Sequence, residues 1–254
     1  MIRQANYKPK IIVVMPAYNA ERTIEQTYRD IPKGLVDEVI VVDDASHDRT
    51  IAKAKSLGLT TVAHPENRGY GGNQKTCYAT ALKKGADIVV MIHPDYQYDA
   101  TLTGEMIRPI EQGRYDIMLG SRIRTRDEAL AGGMPGWKYL ANRLLTALEN
   151  IVLGLNLSEY HTGFRAFSAR ALEKLPLQRN SDDFIFDQEI LVEAIARGMR
   201  IGEIPVPVRY FDEASSINFR RSVVYGLGIL WLLMRYILHR VGLVKDRRLE
   251  DINR

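Results

Sequence analysis

The sequence predicts an α/β fold, a mostly parallel sheet flanked by helices, and three observations carry that prediction. Short apolar runs recur without internal alternation, the pattern of strands buried on both faces. Segments of helical spacing lie between them, so strand and helix alternate. Each run ends in small, polar or acidic residues, at the edge where open α/β sheets bind ligands. At 254 residues, 46% hydrophobic and 26% charged, the chain is long enough for one such core with an elaborated second half.

Taken in order, Lys10 to Met15 is the first buried strand. It ends at Pro16-Ala17-Tyr18-Asn19 and leads to a helix over Glu21–Ile31 with Ile24, Tyr28 and Ile31 on one face. A second strand, Glu38–Val42, ends in Asp43-Asp44-Ala45-Ser46, and Thr50–Leu57 is helical. A short strand, Thr60–Ala63, opens into Pro65 to Asn73, a stretch that includes Arg68 and Gly69-Tyr70-Gly71-Gly72. The helix expected after it runs from about Lys75 to Lys84 and stops at Gly85. The strand Ile88–Ile92 ends in His93-Pro94-Asp95-Tyr96-Gln97-Tyr98-Asp99, with Asp99 capping a helix from near Thr101 to Gln112. Tyr115–Leu119 is a further strand. A parallel sheet gathers such ends at one rim, so Asn19, Asp44, Arg68 and Asp95 are expected to be neighbours.

Several classes fall away. A dinucleotide-binding domain places Gly-x-Gly-x-x-Gly directly after its first strand, where this chain has Pro16 to Asn19. A net charge of +4 suits an anionic substrate or membrane surface, but no nucleic-acid motif accompanies it, so nucleic acid is not an expected partner. Cys77 is the only cysteine, which points to a reducing compartment. Met1–Lys10 lacks the apolar core of a signal peptide, and a cytoplasmic location is expected.

The rim residues have coherent chemistry. A carboxylate at Asp43 or Asp44 can accept hydrogen bonds from a ribose or a base edge. Glycines 69 to 72 let backbone amides approach an anion. His93 and Asp95, one residue apart, can hold a divalent ion and through it a diphosphate. Each feature also has a plain reading, as helix cap, flexible loop or turn. Their presence at successive strand ends favours ligand binding.

The stretches Val13–Asn19, Val41–Asp48, Asn67–Asn73 and His93-Pro94-Asp95 resemble family 2 glycosyltransferases of GT-A fold. The nearest subgroup is the polyprenyl-phosphate transferases of the dolichyl-phosphate mannose or glucose synthase type. That resemblance implies a UDP- or GDP-sugar donor, Mg²⁺ or Mn²⁺ on its diphosphate, an inverting transfer and a polyprenyl-phosphate acceptor. It assigns Pro16, Tyr18 and Glu21 to the base and ribose pocket and Asp44 to the base, with Asp43, Arg68 and Gly71 also on the donor. It assigns Asp95 and Gln97 to the metal. His93 stands where the family has aspartate; imidazole ligates Mn²⁺ but brings no negative charge and suits Mg²⁺ less. Arg122 and Arg209 are expected to neutralise the departing diphosphate. In relatives that glycosylate hydroxyls an aspartate acts as base, here Asp187, with Glu189 second; an anionic phosphate acceptor makes a base dispensable.

The second half is read as the acceptor side. Arg124, Arg126 and the Gly132-Gly133 pair mark a mobile loop. The apolar helix from about Trp137 to Leu153 is expected to help receive the lipid phosphate, and Thr162–Ser168 to back the site. Ile204–Arg209, with Pro205 and Pro207, reads as an edge strand. Ala214–Asn218 lacks the family's lysine, and Arg220 or Arg221 is the substitute. Val223–Val244 is apolar, but its uncharged core, Ser222–Met234, is shorter than the ~20 residues of a span. With basic flanks it reads as an amphipathic helix at a membrane interface, the alternative being packing on the core or on a second copy in a homo-oligomer. The expected division is a catalytic domain over 1–220, its donor half about 10–120 and acceptor half about 121–220, then an interface helix and charged tail over 221–254. Two rival functions stand beside the inverting lipid-phosphate transferase at the cytosolic membrane face. One is transfer to a hydroxyl of a glycan, lipid or small molecule; the other is a catalytically weak nucleotide-sugar-binding or scaffold protein.

Overall fold

A computed structural model describes residues 8–123, 127, 134–207, 209 and 219–250. Seven strands form one sheet in the order β3-β2-β1-β4-β6-β5-β7. They are β1 (Ile11–Ala17), β2 (Glu38–Asp43), β3 (Thr60–Ala63), β4 (Ile88–Met91), β5 (Ile117–Ser121), β6 (Arg165–Ser168) and β7 (Ile201–Pro205). Strands β1 to β4 are mutually parallel where they pair. β6 runs antiparallel between β4 and β5. The apolar runs work as their composition requires: every residue of β1, β4 and β5 is buried, and successive residues of β1 join opposite halves of the core.

The helices are α1 (Ile24–Asp30), α2 (Thr50–Ser56), α3 (Gly69–Lys83), α4 (Thr103–Glu111), α5 (Gly136–Leu153), α6 (Ala169–Lys174), α7 (Phe186–Ala196) and α8 (Phe219–Arg240). α1, α2 and α4 pack on one face of the sheet; α3, α7 and α8 build the other. Asp99 accepts from Thr101 N ahead of α4, the cap its position suggested.

Three differences from expectation bear on the site and its surroundings. Helix α3 starts at Gly69, six residues before Lys75, because its glycines meet the backbone of residues 181–182 (below). β7 covers Ile201–Pro205 rather than 204–209 and pairs with β5 alone; it is an edge strand, but only Pro205 of the two prolines lies in it, at its last position, and Arg209 lies past its end. The C-terminal tail is not simply solvated. Asp246 is buried against Arg235 and Arg248, and Leu249 enters the core. The expected loop with Arg124, Arg126 and Gly132-Gly133, and the stretch Ala214–Asn218, lie outside the described residues.

Candidate active site

The carboxyl ends of β1, β2 and β4 meet at one rim, and their loops share a backbone peculiarity. The non-glycine residues with positive φ among the described ones, Asn19 (52°), Ala45 (60°) and Tyr96 (60°), all lie there. A tyrosine in the left-handed region costs roughly 1–3 kcal/mol, and such strain clusters at functional sites. The Tyr96 turn is held by Arg209, whose guanidinium lies 4.7 Å over the Tyr96 ring and whose N–H donates to Gln97 O (2.9 Å). Arg209 therefore clamps the His93–Gln97 loop and does not line the cavity.

The rim brings Asn19, Asp44 and Arg68 together. Asn19 N donates to Ser46 Oγ and Asn19 Oδ1 accepts from His47 N. Asp44 is buried, and both its oxygens are engaged: Oδ1 accepts from His64 Nδ1 (2.7 Å) and Arg68 N (2.8 Å), Oδ2 from Gly69 N (3.0 Å). Asp43 differs. Its Oδ2 accepts from Ser46 N (3.0 Å), whereas Oδ1 is buried with no partner. The unspent acceptor at this edge is thus Asp43 rather than Asp44. Pro16 is buried in β1 opposite Val42, Tyr18 is half exposed, and Glu21 binds the Arg49 backbone and guanidinium.

The glycine segment has a different role from the one expected. Gly71 N and Gly72 N both donate to Asp182 O (2.7 and 3.3 Å). A Cβ on Gly71 would stand 2.5 Å from Ser181 O and 2.8 Å from Phe186 Cβ. The glycines let the 181–186 segment lie against the start of α3, so their amides are spent inside the protein.

A cavity of about 510 Å³ connects the rim with the second half. Tyr18, His93, Asp95 and Gln97 line it together with Arg122, Lys138, Asp187 and Arg221. Inside it, Tyr70 links elements far apart in sequence. Its hydroxyl donates to Asp187 Oδ2 (2.7 Å) and lies 3.1 Å from His93 Nε2; its ring stacks on the His93 ring at 5.3 Å. Asp187 Oδ1 accepts from Gln74 Nε2 (3.0 Å), and the wholly buried Arg165 lies 3.6 Å from Oδ2. Gly163 leaves room for the imidazole, since a Cβ there would sit 2.6 Å from His93 Cδ2. Burial lowers the His93 pKa, against the opposing pull of Asp95 and Asp187. Sequence reasoning missed Tyr70, although it sits within the glycine motif.

Arg122 is not a spare cation. Its backbone N and guanidinium bind the fully buried Glu159 carboxylate, and Nη2 also donates to His161 O (2.6 Å). Burial works against the charge on Glu159, yet Arg122 holds its pKa below the usual value. Lys138 also faces the cavity, its pKa lowered by burial and by Arg122.

Residues 12–176 match the model of Glycosyl transferase family 2. An uncharacterised protein of Methanocaldococcus jannaschii is 30% identical over 227 residues, 89% of this chain and 92% of its own length. The chain belongs to glycosyl transferase family 2. This glycosyltransferase is also 27% identical over 253 residues to the UDP-N-acetylglucosamine–dolichyl-phosphate N-acetylglucosaminyltransferase of Methanococcus voltae, covering 93% of this chain and 98% of that one. Among solved structures it is similar to glucosyl-3-phosphoglycerate synthase of Mycobacterium tuberculosis in complex with Mn²⁺, UDP and glucosyl-3-phosphoglycerate. The TM-score is 0.68 at 23% identity, over 94% of this chain and 82% of that one. The GT-A fold is shared.

The solved structure named above is in complex with Mn²⁺, and this cavity carries side chains of types that can ligate such an ion. Among the described residues no three His, Cys, Asp or Glu side chains converge as a ready-made cage. Past the end of β4 the cavity instead offers the Asp95 carboxylate, the His93 imidazole and the Gln97 amide. That set suits an ion whose shell is completed by substrate phosphates and water.

Proposed function

We propose that this glycosyltransferase moves a sugar from a nucleoside-diphosphate donor to the phosphate of a polyprenyl carrier, with inversion, at the cytosolic face of a membrane. One observation carries the reading. The cavity lined by Tyr18, His93, Asp95 and Gln97 is walled on its other side by α5 and α8, and both helices turn apolar faces outward. Leu140, Leu144 and Ile151 of α5 are exposed, as are Val224, Leu227, Leu230, Trp231 and Ile237 of α8. Trp137 and Phe219 meet edge to face at 5.2 Å and join the two helices. An apolar surface of this extent, next to Arg220 and Arg221, suits an anionic lipid surface. By length and composition α8 is apolar enough to cross a membrane, but Ile229, Leu232, Leu233 and Tyr236 pack it lengthwise on the core. It lies along the domain. The Methanococcus voltae relative, named for a dolichyl-phosphate acceptor, supports the same reading.

The residues take the following roles. Tyr18 and the unspent Asp43 Oδ1 receive the nucleoside, with Pro16, Asp44, Glu21, Arg68 and Gly71 shaping the loops around it. His93, Asp95 and Gln97 would hold a divalent ion, which would supply positive charge beside the departing diphosphate. Lys138 and Arg221 flank the acceptor phosphate, with the Arg122–Glu159 pair behind them. A phosphate oxygen, already anionic, attacks the anomeric carbon opposite the diphosphate; the bond to the diphosphate oxygen breaks, and no proton need move. Asp187 therefore serves as a structural acceptor for Tyr70 and Gln74 rather than as a base. The test is incubation of purified protein with membranes, labelled nucleotide sugars and Mg²⁺ or Mn²⁺. Label extracted with lipid is expected. Label found only in water-soluble product refutes the carrier reading.

A further inference from the structure

The position that carries an aspartate in the resembled family carries His93 here, and its ring nitrogens are not equivalent. The hydrogen bond of His93 runs through Nε2 to the Tyr70 hydroxyl. That hydroxyl has one proton and two neighbours. The Asp187 carboxylate, 2.7 Å away, faces the wholly buried Arg165 guanidinium. The other N–H groups of Arg165 go to main-chain carbonyls of Tyr160, Thr162 and Asp187, so Asp187 is the anion that balances its charge. A carboxylate in that pairing only accepts. The Tyr70 proton therefore points to Asp187, and the Tyr70 oxygen must accept from His93 Nε2–H.

We propose that Tyr70 is a positioning residue that locks His93 in its Nε2-protonated tautomer, leaving the lone pair of Nδ1 for a divalent cation. The device spans three elements: Asp187 opens α7, Tyr70 opens α3, and His93 follows β4. Its parts are held independently. Gln74 fixes the second oxygen of Asp187. Phe184 packs against the Tyr70 ring at 4.6 Å, and His93 stacks on that ring with an interplanar angle of 15°. A ligand imidazole is oriented in the same way wherever its second nitrogen donates to a fixed acceptor. Here the acceptor is a phenol whose own proton is committed elsewhere. A neutral side chain thereby keeps a donor atom at the D-x-D-like position.

The use of Nδ1 rests on the metal reading given above; the tautomer does not. Long-range ¹H–¹⁵N correlation on the ¹⁵N-labelled, metal-free protein reads it directly, with His93 assigned by its loss in His93→Asp. The Nε2–H form is expected in the wild type and a mixture in Tyr70→Phe, which keeps both ring stacks. A wild-type His93 protonated at Nδ1 overturns the proposal. Mn²⁺ binding in the presence of UDP, followed by water-proton relaxation, tests the consequence. Tyr70→Phe should weaken it by about tenfold, the scale of a lost outer partner, and should have no effect in the His93→Asp background. Unchanged Mn²⁺ affinity in Tyr70→Phe overturns the positioning role. If His93→Ala binds Mn²⁺ as tightly as the wild type, the metal reading of His93 fails, while the tautomer result stands on its own.

Discussion

Replacing Gly71 with alanine separates the two roles that glycine can have in this cavity. An added Cβ would lie 2.5 Å from Ser181 O, 2.8 Å from Phe186 Cβ and 3.0 Å from Asp182 C. The atoms it meets are mostly backbone, so the 181–186 segment must retreat. That segment is fastened by Gly71 N and Gly72 N to Asp182 O, by Lys75 Nζ to Asp182 Oδ1 (2.7 Å), and by Ser181 N to Glu189 Oε2 (2.6 Å). Losing about two hydrogen bonds at ~1 kcal/mol each, with some overpacking strain, gives a destabilisation of roughly 2–4 kcal/mol. For a chain of this size that lowers Tm by roughly 5–15 °C. Gly136→Ala is the control, since nothing lies within 4 Å of its added Cβ; it should be neutral or stabilising by up to about 1 kcal/mol. Calorimetry and UDP binding measured side by side are the assay. If Gly71→Ala melts with the wild type but loses UDP affinity, the reasoning is refuted, and Gly71 backs the donor directly.

Three further outcomes are expected. Burial raises the Glu193 pKa from 4.5 to about 7, so the folded state binds that proton more tightly. The stability it lends is complete below about pH 4.5 and lost as pH rises toward 7, an upper bound of about 3 kcal/mol. Glu193→Gln should therefore raise Tm above neutrality and leave it nearly unchanged in acid; identical melting at alkaline pH would contradict this. Trp231→Glu, on the exposed face of α8, should abolish sedimentation with anionic vesicles at unchanged Tm, and retained binding removes the interface role. Asp187→Asn should lower Tm, because Arg165 then faces a neutral amide, yet turnover of the folded enzyme should fall less than the 10²–10⁴-fold typical of a lost general base. A loss on that larger scale would favour a hydroxyl acceptor.

Much of the scaffold was legible because its signals are local. β1, β2, β4 and β5 are apolar runs, and a strand buried on both faces can be little else. The prolines at 205 and 207 marked an edge strand, since neither can donate to a ladder. The apolar C-terminal helix was readable from composition, and its outward face remains exposed in the fold. Boundaries governed by distant contacts were not legible. Glycine is a poor helix former, so composition does not start α3 at Gly69, although Asn67 Oδ1 accepts from Gly69 N there; the approach of Ser181 and Asp182, more than a hundred residues away, requires glycine.

The same division holds within the site. From the sequence came the order of strands and helices, the rim at the carboxyl ends of β1, β2 and β4, and the membership of the family. These rest on residue type and spacing, which the chain carries wherever it is read. The tertiary structure decided which of those groups is still chemically available. Arg122, expected at the diphosphate, lines the cavity with its guanidinium already bound to the buried Glu159. Asp44 proved to be engaged at both oxygens by three donors, while Asp43 kept a buried oxygen unspent. Asp187, a candidate base, turned out to hold Tyr70, and through it His93. A charge or a lone pair is available only when no neighbour uses it, and those neighbours are set by the packing of distant segments.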